Sequence, residues 1–112
     1  METYNLASLK EQCNNDKTFF NEMIDVFISS SLSGIANMRE AYLRKDMETL
    51  GHFAHKILSP YKHIEANEIC VLIKEIEDSA KDELTPDRAE FLLDTIKSRT
   101  DQLIKNLKTE YL

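Results

Sequence analysis

Ala54-His55-Lys56-Ile57-Leu58-Ser59-Pro60-Tyr61-Lys62-His63 lies in the middle of a segment whose apolar residues keep one helical phase. Met47, Leu50, Ala54, Ile57, Tyr61 and Ile64 recur at alternating spacings of three and four, which is one face of a helix. Glu48, His52, His55, Ser59 and Lys62 recur at the same spacings on the opposite face. An amphipathic helix from Met47 to about Ile64 is the reading this imposes, with the His55 imidazole standing in water.

Other segments keep the same period on both sides of this one. Upstream, Phe20, Ile24, Phe27, Ser31, Ile35, Met38 and Tyr42 form the seam of a long helix from about Lys17 to Arg44, capped by Asp16. Ser29-Ser30-Ser31-Leu32-Ser33-Gly34 is its weak spot, where poor helix formers favour a bend or a short break, but the apolar phase continues on both sides and one helix is kept. Lys45-Asp46 makes the turn into the next helix, with Asp46 as its cap. Downstream, Ile69, Leu72, Ile73 and Ile76 face inward on a helix over about residues 67–80. The very short link at Glu65-Ala66 makes it an antiparallel neighbour of the segment before it. Thr85-Pro86-Asp87 is a strong helix start: a hydroxyl cap, proline at the first helical position and then an acid. That last helix runs to about Glu110, with Phe91, Leu92, Ile96, Leu103 and Leu107 available for packing. A short helix over about residues 5–12 precedes them all, with Leu6 and Leu9 as its apolar contacts. The fold class is all-α: an antiparallel four-helix bundle with a short extra N-terminal helix, in a single domain spanning residues 1–112.

Composition agrees. Hydrophobic residues make up 42% of the 112, and there are only two glycines and two prolines, too few for an all-β chain with many tight turns. No apolar run approaches the ~20 residues of a membrane span. The start, Met1-Glu2-Thr3-Tyr4, has neither the basic residues nor the apolar run of a signal peptide, so a cytoplasmic location is expected. The formal charge of −6, from 14 basic and 20 acidic side chains, argues against nucleic-acid binding. Cys13 and Cys70 form no CxxC pair and read as two buried, reduced thiols.

Most exposed histidines on bundle helices are ordinary polar surface. His55 differs in its setting: an alanine before it, an apolar helical residue two positions on, and the small Ser59 one turn on, which leaves the ring open to a large partner. At these residues the chain resembles the histidine-containing phosphotransfer domains. The resemblance runs from Phe20 to Glu77. It is carried by the phenylalanine-rich long helix, the turn Arg44-Lys45-Asp46 followed by Leu50, Ala54-His55-x-Ile57, Ala66 with Ile69 and Leu72, and the closing Lys74-Glu75-Ile76-Glu77. It implies that His55 accepts a phosphoryl group at Nε2 from a receiver-domain aspartate and that another receiver aspartate takes it away. The Mg²⁺ would sit in the receiver, the bundle itself binding no cofactor and no metal. The partners implied are response-regulator receiver domains, met by a monomer without kinase activity of its own. The 112 residues fit either a free-standing protein or a piece of a hybrid histidine kinase.

The chain departs from the family at three places. Leu58 and Ser59 stand where the family commonly has lysine and glycine, and Glu65 where it has glycine. Ser59 keeps the small size, whereas Leu58 loses a cation near the phosphate, which Lys56 and Lys62 are expected to replace in part. Pro60 removes a backbone bond to the Lys56 carbonyl, so a kink below His55 is expected. The docking patch is read as a part-exposed Leu58 with Ser59 at the centre and His52, Lys56 and Lys62 as a polar rim, with Met38 or Tyr42 added from the long helix.

Three other readings compete. One is a helical adaptor that binds a receiver or another signalling partner without phosphorylation. Another is a zinc site at His52, His55 and His63, for which no further ligand cluster exists. The third is a relic of a histidine-kinase dimerisation helix pair. Kinases of that kind usually carry an acid directly after the histidine, where this chain has Lys56, and there is no nucleotide-binding segment.

Overall fold

A computed structural model describes residues 3–111. Its helices are α1 (Ala7–Gln12), α2 (Lys17–Leu43), α3 (Met47–His63), α4 (Asn67–Ser79) and α5 (Pro86–Tyr111), with no strand among the described residues. α2 packs on α3, α3 on α4, α4 on α5, and α5 closes the ring on α2. The result is a bundle of 44 × 23 × 19 Å. α1 lies across one end, where Leu6, Leu9 and Cys13 are buried and the Asn5 amide donates to the Ile64 carbonyl at 2.8 Å. None of the described helices is long and apolar enough to cross a membrane.

Local chemistry sets the helix ends. The Asp16 carboxylate accepts from the Phe19 amide, and Asp46 accepts from both the amide and the hydroxyl of Thr49. Thr85 caps α5 by accepting from the Arg88 amide at 3.3 Å. The turn after α2 ends in a pair of bonds, Lys45 amide to Tyr42 carbonyl and Asp46 amide to Ala41 carbonyl. The turn after α3 repeats the pattern, with the Glu65 amide on Lys62 and the Ala66 amide on Tyr61. Both are Schellman closures, which place one residue in the left-handed region. Lys45 (φ 60°) and Glu65 (φ 53°) occupy those positions in place of glycine.

The Ser29–Gly34 stretch stays helical, so α2 is the one continuous helix that its apolar phase indicated. Tertiary packing explains this. Ser31 is fully buried with its hydroxyl on the Ile28 carbonyl, and Gly34 lets α2 approach α3 so closely that a Cβ there would come within 2.6 Å of Ile57 Cδ1. α3 likewise runs unbroken through Pro60 to His63.

Three details of the expected core are corrected. Leu58 is only 5% exposed, not a surface residue. It follows the buried Ala54 by four positions and precedes the buried Tyr61 by three, and α3 is covered by both α2 and α4, which widens its apolar stripe. Phe91, offered above for packing, is 53% exposed, with the Arg88 guanidinium 5.1 Å above its ring. Ala89, Leu92, Leu93 and Ile96 line the inner face of α5 in its stead. Cys70 is half-buried; Cys13 is buried and both thiols are free.

Tyr61, in the last turn of α3, carries a buried polar contact of the core. Its hydroxyl lies 2.6 Å from Thr100 Oγ1 of α5, and its ring meets Phe27 of α2 edge to face, with centroids 5.2 Å apart. Burial pushes the phenol up to about 12. Three helices are therefore registered against each other one and a half turns below His55.

Candidate functional site

α3 displays His55 because its neighbour Ala54 points wholly inward and lets the helix sit close on the core. The imidazole side chain is 71% exposed. It is nonetheless held: Nδ1 lies 2.6 Å from Oε2 of Glu77 on α4. A carboxylate only accepts, so the proton of a neutral ring sits on Nδ1 and the Nε2 lone pair faces away from the bundle. Glu77 is itself the better buried partner, and its other oxygen, Oε1, accepts from the Lys74 ammonium at 3.2 Å. Burial pushes the Glu77 carboxyl up, but the contacts with His55 and Lys74 outweigh it and hold the group below its usual range. Lys74 also reaches Asp78, at 3.3 Å.

The antiparallel register of α3 and α4 produces this contact. It sets His55 across from Glu77, and a Cβ on Gly51 would lie 3.5 Å from the Ala80 Cβ. At the other end it sets Lys62 beside Cys70, whose thiol is raised by burial and partly lowered by that ammonium.

Of the residues expected around His55, His52, Lys56, Ser59 and Lys62 are all exposed, and Leu58 lies beneath them in the core. They share one exposed face of α3, whose edge toward α2 borders two hollows. Lys56 turns toward α2, where it lines an open cleft of about 320 Å³ with Ser30, Ser33, Gly34, Asn37, Phe53 and Pro60. Ser59 and His63 line a second, more apolar hollow of about 220 Å³ with Met23, Val26 and Ser30. Both hollows share Ser30 and Pro60, so one groove between α2 and α3 flanks the His55 helix on the side away from Glu77. Met38 is fully buried and takes no part in any surface. Tyr42 points its hydroxyl at the Pro86 carbonyl of α5. The α2 side chains that border the cleft beside Lys56 are instead Ser30, Ser33 and Asn37. No group of three or more His, Cys, Asp or Glu side chains able to hold a metal occurs among the described residues.

Sequence reasoning missed the role of Glu77, quoting it only as the end of a motif. The signal was available. Two amphipathic helices joined by a tight turn run antiparallel, which places residues near 77 at the level of residue 55, and the packing of α3 on α4 selects Glu77 among them.

Comparison with known proteins adds the fold. No family model and no curated protein matches this chain. Among solved structures it is similar to histidine-containing phosphotransfer protein B (HptB) from Pseudomonas aeruginosa PAO1. The TM-score is 0.84 at 24% identity, over 95% of this chain and 89% of that one. The all-α bundle is therefore the fold of a histidine-containing phosphotransfer protein.

Proposed function

We propose that this chain is a phosphorelay intermediate whose His55 accepts a phosphoryl group from a receiver-domain aspartate and gives it to the aspartate of another receiver. The observation that carries this is the His55–Glu77 pair, set on a phosphotransfer-protein fold with Nε2 turned to solvent.

The chemistry follows from the pair. The Nε2 lone pair attacks the phosphorus of the aspartyl phosphate. The N–P bond forms as the P–O bond to the aspartate breaks, and the carboxylate leaves with the electron pair. The ring keeps its Nδ1 proton and becomes cationic, next to the Glu77 carboxylate, which stabilises that charge as it develops. In the return step a free receiver aspartate attacks phosphorus and the imidazole leaves neutral. Phosphoryl transfer of this kind asks for an aligned nucleophile and for charge neutralisation, with little other covalent work. The receiver's acidic pocket supplies the Mg²⁺, and the bundle acts as a monomeric carrier with no kinase activity of its own. A receiver seats on the exposed face of α3 at His52, Lys56, Ser59 and Lys62 and in the groove beside Phe53, Ser30 and Ser33.

The test is to incubate the chain with a phosphorylated receiver and Mg²⁺. A label that is acid-labile, base-stable and absent from His55→Gln is the expected result. Receiver binding without any such label would establish the helical adaptor instead.

A further inference from the structure

Phosphorylation of His55 at Nε2 adds about two negative charges one ring-width outward from the Glu77 carboxylate, and the position of the family's lysine is occupied by the buried Leu58. Three lysines are candidates to balance that charge, and the structure separates them. Lys56 points into the α2 cleft, on the far side of α3 from Glu77. Lys62 is seven residues along the helix from His55, roughly 10 Å, and faces Cys70. Lys74 is one carboxylate away from the ring: its ammonium lies on Oε1 of Glu77, whose Oε2 holds His55 Nδ1. The register that sets His55 opposite Glu77 and Lys62 opposite Cys70 brings Lys74 opposite Leu58, midway between the two pairs.

We infer that Lys74 supplies the positive charge for the phosphoryl group on His55, the cation having moved across the helix pair from α3 to the facing position of α4. The inference rests on the phosphoacceptor reading of His55. Lys74 is suited to the task. Its side chain is 56% exposed and ends on two acids, Glu77 and Asp78, from which it can swing to a group of higher charge one ring-width outward. Leu58 meanwhile fills the core between the two helices, which a lysine at that position would do less well. Position 58 thus contributes packing and position 74 the charge.

Potassium phosphoramidate tests this without any receiver. Its phosphoryl group passes to Nε2 as the P–N bond breaks and ammonia leaves, and ³¹P NMR follows the phosphohistidine formed. Lys74→Met is expected to slow labelling of His55 by ~10-fold, the effect of one cation a few ångströms from a dianion in largely aqueous surroundings. Lys74→Arg should return the rate to within about 3-fold of the wild type, which a packing defect would not allow. Lys56 and Lys62 belong to the receiver-docking face, which this receiver-free reaction does not engage, so Lys56→Met and Lys62→Met should each change it by less than about 2-fold. A Lys74→Met rate within about 2-fold of the wild type overturns the assignment, as does a Lys74→Arg rate as slow as that of Lys74→Met. So does a loss confined to Lys56→Met or Lys62→Met. A wild-type chain that takes no label, or a label that survives in His55→Gln, overturns the phosphoacceptor reading itself and Lys74 with it.

Discussion

Removing the Glu77 carboxylate should release the His55 ring without unfolding the bundle. The contact is a charge-assisted hydrogen bond of 2.6 Å, of a kind worth ~1.5–3 kcal/mol when sheltered. The imidazole is 71% exposed, so solvent screening reduces this to about 1 kcal/mol. That energy corresponds to a ~5-fold change in the ratio of Nδ1–H to Nε2–H tautomers. In ¹⁵N-histidine NMR at a pH where the ring is neutral, Glu77→Ala should lower the ratio by this factor, with His55 assigned through His55→Gln. The rate of phosphorylation by phosphoramidate should fall by ~5–10-fold, since the nucleophilic lone pair is lost from part of the population and the ring cation loses its partner. Glu77→Gln should separate the two effects, because an amide oxygen still accepts from Nδ1 but carries no charge. Its tautomer ratio should stay near the wild type while its rate drops. The pairing also has a pH window. Glu77 is held below the usual carboxylate range, so the contact is complete above that range and is lost as pH falls through the depressed value. An unchanged tautomer ratio in Glu77→Ala would show that the ring is not held by α4 and would refute the argument for Nε2.

Four further predictions concern the frame that carries the site. Thr100→Val removes a partner of the buried Tyr61 hydroxyl and should cost about 1–2 kcal/mol, seen as a Tm lower by roughly 4–8 °C. In the wild type, Tyr61 ionises at about 12 when folded and near 10 when unfolded. Stability should be complete below pH ~10 and decline by up to about 3 kcal/mol as pH rises through that interval, and urea titrations that show no decline would contradict the buried phenol. Gly34→Ala drives a Cβ to 2.6 Å from Ile57 Cδ1, so overpacking should outweigh the gain in helix propensity and cost about 1 kcal/mol net. Adding Ile57→Val removes that methyl, and a double-mutant cycle should return at least ~0.5 kcal/mol of coupling. Glu65→Gly relieves a left-handed residue at φ 53° and should raise the urea midpoint by the equivalent of ~0.5–1 kcal/mol, whereas Glu65→Ala should not.

The bundle was legible in the sequence because its information is local and periodic. Asp16, Asp46 and Thr85 each satisfy the free amides at a helix start within three residues of themselves, so the starts of α2, α3 and α5 could be read directly. The alternation of threes and fours on α3 was enough to put Ala54 in the core and His55 in water. Leu58 went the other way. The width of a buried stripe depends on how many neighbours cover the helix, and α2 and α4 flank α3 on both sides. The Ser29–Gly34 stretch stays within one helix, as its continuous apolar phase indicated, because contact with Ile57 outweighs the poor intrinsic propensity of serine and glycine.

The sequence by itself determined that four amphipathic helices pack antiparallel and that one of them offers a histidine to solvent. Only the tertiary structure decided what holds that histidine. Its partner lies 22 residues away on another helix, at a register set by the Schellman closure at Glu65 and by packing along the whole length of α3 and α4. Periodicity specifies which way a side chain points from its own helix axis. It does not specify which side chain of the next helix arrives opposite, and at His55 that is Glu77, with Lys74 behind it.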